Sequence, residues 1–130
     1  MEQTLKRLDL NFFGKGMHAV QAEAFFNHDK ALLVDVRTKE EAATLPLTLA
    51  LYDNIAMVNI PLNELPDRLN EIPDDVPVAV FCPMHVRSSM ALGFLMSRGH
   101  DNVRILMGGY AAVTDQVLPG KVLQLSLAAG

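Results

Sequence analysis

Apolar residues in this chain come in short unbroken runs separated by amphipathic stretches. Ala31-Leu32-Leu33-Val34-Asp35-Val36-Arg37, Ala56-Met57-Val58-Asn59-Ile60, Val76 to Phe81 and Val103 to Met107 have the length and branched content of strands buried on both faces. Between them lie helical patterns. Residues 19 to 28 read as a short helix with Val20, Ala24 and Phe25 on its apolar side. Thr38 reads as an N-cap, with Glu41 completing a capping box for a helix that stops before Pro46. Pro61 opens a helix toward Ile72, with distortion expected at Pro66. Val86 to Arg98 forms a largely apolar helix closed by Gly99, and Tyr110 to Val117 forms the last. This alternation predicts an α/β fold, a mostly parallel central sheet with helices on both faces.

Composition narrows the function classes. The chain has 130 residues, 50% hydrophobic and 20% charged, which suits a single globular domain over 1–130 with its core at about 19–119. A net charge of -4 without a basic cluster argues against nucleic acid and anionic membranes as partners. Glu2, Lys6, Arg7 and Asp9 at the start, and the lack of an apolar stretch of signal-peptide or membrane-span length, make a cytoplasmic location the expectation. His18, His28 and His100 have no metal-ligand spacing with Cys82, so they read as surface or capping residues and no metal is expected.

Cys82 is the sole cysteine, and it opens Cys82-Pro83-Met84-His85-Val86-Arg87-Ser88-Ser89 between an apolar run and a helical pattern. A free cysteine after such a run is commonly inert packing. In parallel sheets, however, ligands bind beyond the carboxyl ends of the strands. The helix that follows aims its first N–H groups and positive dipole end at that point, surroundings that favour thiolate over thiol and bind anions. Arg87 in the first turn opposes the helix dipole, and a bound anion would account for it. With no second cysteine there is no resolving thiol, so any acceptor comes from outside. Asp35 and Arg37 end a strand on the same side as Cys82. They read as scaffold, Arg37 pairing with Glu40 or Glu41 and Asp35 accepting loop N–H groups. Gly108-Gly109 permits a close backbone approach or an unusual turn beside the loop, with Tyr110 packed there. Met90 and Met96 read as core filling, and Met84 as bordering the pocket mouth.

Taken in order and spacing, these pieces resemble the single-domain rhodanese-like sulfurtransferases from about Val20 to Pro119. The resemblance rests on Leu33-Val34-Asp35-Val36-Arg37 followed by Glu40-Glu41, on Asn59-Ile60-Pro61-Leu62, on the loop from Cys82 to Arg87-Ser88, and on Met107-Gly108-Gly109-Tyr110 leading to Leu118-Pro119. It implies a rhodanese-like fold in which Cys82 takes sulfane sulfur from thiosulfate or a persulfide, holds it as a cysteine persulfide, and passes it to a thiol or cyanide. The backbone N–H groups of Met84, His85, Val86, Arg87 and Ser88 would cradle the anion, Arg87 would supply its charged contact, and Asp35 and Arg37 would stand behind them. The resemblance implies no cofactor; the partners are a small-molecule sulfur donor and a thiol acceptor, free or on an acceptor protein.

Three features set the chain apart within that resemblance. Pro83 supplies no N–H. His85 stands where these proteins commonly carry glycine, and is less free to adopt a positive φ. The segment 42–58 is longer than the usual connection. Loop length separates the nearest competitors: four residues lie between Cys82 and Arg87, whereas protein tyrosine and dual-specificity phosphatases, and the related arsenate reductases, have five. The smaller ring suits a sulfur centre better than a phosphoryl group. The alternative from another class is a non-catalytic binding, redox-sensing or sulfur-carrier module on the same fold.

Overall fold

The computed structural model describes residues 1–47, 49 and 52–117. Five strands, β1 (Ala19–Val20), β2 (Ala31–Asp35), β3 (Ile55–Asn59), β4 (Val78–Phe81) and β5 (Val103–Leu106), form one sheet in the order β1-β5-β4-β2-β3, and every pairing is parallel. The helices are α1 (Glu2–Arg7), α2 (Leu10–Gly14), α3 (Ala22–Phe26), α4 (Lys39–Thr44), α5 (Val86–Ser97) and α6 (Gly109–Val117), with a 3₁₀ helix over Leu62–Glu71.

The alternation of side chains along a strand divides the core in two. Leu32 and Val34 of β2, Val78 and Val80 of β4, and Cys82 pack with Leu92, Leu95 and Met96 of α5 and Leu65 of the 3₁₀ helix. Leu33, Ala79 and Phe81 pack on the opposite face with Phe25 and Phe26 of α3 and Val113 of α6. Both faces are therefore covered, which is why these strands read as continuous apolar runs. After β2 the chain adds β3 on one side and β4 on the other. The carboxyl ends of β2 and β4 thus form the switch point at which open α/β sheets bind ligands. Asp35 ends one of these strands and Cys82 follows the other.

Several elements differ from the sequence expectation. Ala19-Val20 is strand rather than helix, because Ile105 N–H donates to His18 O and Met107 N–H to Val20 O. Only Ala22–Phe26 of that segment is helical, with Ala22, Phe25 and Phe26 buried and Ala24 exposed. The stretch after Pro61 is 3₁₀, with non-helical backbone at Arg68, two residues after Pro66, whose missing N–H denies an α-helix one of its bonds. The two N-terminal helices went unread; Asp9 caps the second by accepting from Phe12 N–H at 2.9 Å. Met96 fills core as expected, but Met90 is 60% exposed.

Candidate active site

The turn from β4 into α5 sets the geometry around the sulfur. Cys82 is 1% exposed, and the Ser88 N–H donates to its Sγ at 3.2 Å. His85 occupies the N-cap of α5 with φ 65°, and its carbonyl accepts the Ser89 N–H at 2.9 Å. It is the sole non-glycine residue with positive φ among the described residues. The expectation that histidine would resist this conformation is therefore corrected: the fold imposes it, at roughly 1–2 kcal/mol of backbone strain. The N–H groups of Met84, His85, Val86 and Arg87 find no acceptor among the described residues, and neither does the fully buried Ser88 hydroxyl. The loop is thus a set of unspent donors at a helix N-terminus, with the sulfur inside it.

Beneath the loop lies a buried ion pair. Arg37 Nε and Nη2 donate to the Asp35 carboxylate at 2.8–3.0 Å, with the side chains 2% and 1% exposed. Arg37 Nη1 donates to Leu45 O at 2.9 Å, and the guanidinium lies 5.2 Å from the Phe81 ring centroid. Asp35 also accepts the Arg37 backbone N–H at 3.0 Å. The carboxylate that pairs with Arg37 is Asp35, not the expected Glu40 or Glu41. Asn59, read in the sequence as a strand residue and part of the Asn59-Ile60-Pro61-Leu62 motif, ties the strand end by donating its amide to Asp35 O and Arg37 O, both at 2.9 Å.

Glu41 instead faces the loop. The capping box is complete, with Glu41 N–H on Thr38 Oγ1 and Thr38 N–H on Glu41 Oε1. The same carboxylate grips Arg87 with two bonds, Nη1 to Oε1 at 2.5 Å and Nη2 to Oε2 at 2.9 Å. Arg87, expected as a cation awaiting an anion, is already paired. The Arg87 bond, then the Thr38 N–H, hold the Glu41 carboxyl down at about 2, against an ordinary 4.5, while Arg87 is shifted up by the same contact. Because the folded pKa is depressed, the stabilisation is complete above about pH 4.5 and is lost as pH falls toward about 2. Urea midpoints of Glu41→Gln should therefore fall less steeply than those of wild type across that interval; parallel profiles would remove the pair from the acid response.

Gly108 and Gly109 both have positive φ, at 87° and 56°. A Cβ on Gly109 would stand 2.8 Å from Pro83 O and 3.0 Å from Cys82 O, so the close backbone approach expected beside the loop is present. The Tyr110 side chain and Leu118-Pro119 lie outside the described residues, as do Thr48, Ala50 and Leu51 within the long connection. Met84 and Val86 stand exposed on the loop. Among the described residues no group of histidine, cysteine and carboxylates has metal-binding geometry, and no helix is long and apolar enough to cross a membrane.

A family model of the rhodanese-like domain matches residues 18–116. The chain belongs to this family. A sulfurtransferase from Allochromatium vinosum is 35% identical to this rhodanese-like chain over 91 residues, covering 70% of this chain and 78% of the relative. A rhodanese-related protein from Thermoplasma volcanium superposes with a TM-score of 0.63 at 25% identity, over 78% of this chain and 95% of that one. A NAD-dependent persulfide reductase from A. fulgidus superposes with a TM-score of 0.58 at 29% identity, over 78% of this chain but 17% of that one. The rhodanese-like chain therefore corresponds to a small part of that larger protein. Its five-stranded parallel sheet is the fold expected, and the relatives make it a member of a sulfurtransferase family.

Two site residues escaped the sequence reading in their actual roles, Glu41 and Asn59. The capping box already placed Glu41 just beyond β2, at the same sheet end as Arg87, and a carboxylate there is a natural partner for a cation opposing its own helix dipole.

Proposed function

We propose that this protein transfers sulfane sulfur through a persulfide on Cys82, with an organic persulfide as a better donor than thiosulfate and a thiol as acceptor. The Cys82 thiolate attacks the outer sulfur of the donor; the donor's S–S bond breaks and its electron pair leaves with sulfite or with the donor thiolate. The acceptor thiolate then attacks the terminal sulfur, and the bond to Cys82 breaks to regenerate the thiolate. No metal or redox partner enters the cycle. A cytoplasmic setting, which keeps a lone thiol reduced, suits this chemistry.

The observation carrying this reading is the Ser88 N–H on Sγ at 3.2 Å, within a loop whose other free N–H groups have no acceptor among the described residues. Those donors suit a thiolate and then a persulfide anion. The donor order follows from charge. Thiosulfate brings two negative charges, and Glu41 already neutralises Arg87, while Pro83 withholds a donor. A singly charged persulfide asks less of such a loop.

Intact mass after incubation with thiosulfate or glutathione persulfide tests the reading. Gain of one sulfur atom, faster from the persulfide and reversed by added thiol, is the expected result. No uptake from either donor, by protein whose Cys82 still reacts with iodoacetamide, would overturn it. The burial of Cys82 at 1% exposure favours a second reading, a sulfur-carrier or sensing module that loads once. Multiple turnover with excess donor and thiol distinguishes the enzyme from that module.

A further inference from the structure

Beside the loop, on the α4 side, lies a cleft of about 430 Å³ lined by Arg37, Glu40, Glu41, Thr44, Leu45 and Pro83. Its size falls within the range of small-molecule sites, and Pro83 joins it directly to the residue that carries the sulfur. The walls are largely apolar in effect. Leu45 is 52% exposed and Pro83 is exposed. The Thr44 hydroxyl is spent on Glu40 O at 2.9 Å.

Charge decides what such a cleft would take. Among the described residues three charged side chains line it, of which Arg37 is neutralised by Asp35 and Glu41 by Arg87. The exposed Glu40 carboxylate has no cationic partner among the described residues. The cleft therefore combines an apolar wall with one uncompensated negative charge, next to the proposed sulfur carrier.

We infer that this cleft is the acceptor subsite, and that it selects a small organic thiol whose short carbon chain lies on Leu45 and Pro83 and whose ammonium group meets Glu40. The inference rests on the Cys82 persulfide reading and specifies its acceptor as an aminothiol. In the step, the aminothiol sulfur attacks the terminal sulfur of the Cys82 persulfide, forming the new S–S bond. The old bond breaks with its electron pair on Cys82 Sγ, so the products are the Cys82 thiolate and an aminothiol persulfide.

Cysteamine and mercaptopropionate share a two-carbon chain and carry opposite end charges. Full-length protein is loaded with sulfur from glutathione persulfide, freed of donor, and its single-turnover discharge by each thiol is followed by intact mass. The intrinsic reactivities of the two thiols cancel when their rate ratio is compared between proteins. The ratio favouring cysteamine should fall about two- to fivefold in Glu40→Gln, the range of one solvent-exposed charge contact. Leu45→Ala should slow both thiols by roughly fivefold through lost apolar contact while preserving the ratio.

An unchanged ratio in Glu40→Gln, in protein that loads and discharges normally, would overturn the aminothiol assignment. Unchanged rates in Leu45→Ala would remove the cleft from the acceptor path. Both results would leave sulfur transfer on Cys82 standing. Failure of wild type to load at all would instead overturn that underlying reading, and the acceptor assignment with it.

Discussion

Replacing Cys82 by serine is expected to abolish sulfur transfer, reducing turnover to the background of the uncatalysed reaction. A hydroxyl cannot hold sulfane sulfur, and no second cysteine exists to take over. The fold should survive. The serine oxygen can still accept the Ser88 N–H that now reaches Sγ at 3.2 Å, and the cost of a hydroxyl in this buried position is about 1–3 kcal/mol. Transfer assays paired with circular dichroism and intact mass separate the two effects. Retained activity in folded Cys82→Ser protein would end the persulfide mechanism.

Asp35→Ala is expected to produce the largest loss of stability. It leaves the Arg37 guanidinium, 2% exposed, without the carboxylate that accepts from Nε and Nη2. Breaking one partner of a buried pair costs about 3–5 kcal/mol, against a total of roughly 5–15 kcal/mol for a typical domain. Denaturant midpoints should drop accordingly. The double replacement Asp35→Leu with Arg37→Met removes both charges and keeps apolar volume, so it should be more stable than Asp35→Ala alone. A double variant no better than the single would show that the hydrogen bonds to Leu45 O and within the strand end matter more than the unpaired charge. Damage to sulfur loading should accompany the instability, because the pair stands beneath the loop at the junction of β2 and β4.

What could be read from the chain alone was local. The Thr38–Glu41 capping box depends on residues three apart, so it appeared in the sequence as it does in the structure. The apolar runs of β2, β4 and β5 announced strands covered on both sides, and Cys82 lies between a strand and a helix as its sequence context indicated. Gly108-Gly109 was legible for the same reason, since two consecutive glycines mark backbone that side chains would obstruct.

Tertiary structure decided everything that depends on distant partners. Two residues of β1 carry no periodicity and become a strand only by pairing with β5. The choice of Asp35 for Arg37 and of Glu41 for Arg87 turned on which carboxylate the sheet brings near, the second across 46 positions of sequence. His85 takes a positive φ because the turn from β4 into α5 demands it, against the preference of the residue itself. The cleft beside Pro83 exists only once α4 lies next to the loop. Hydrophobic pattern and capping act over a few residues and so determined the elements and the place of Cys82 between β4 and α5. Charge pairing and cavities are set by packing across the sheet, which is why the electrostatics of the site emerged only from the folded chain.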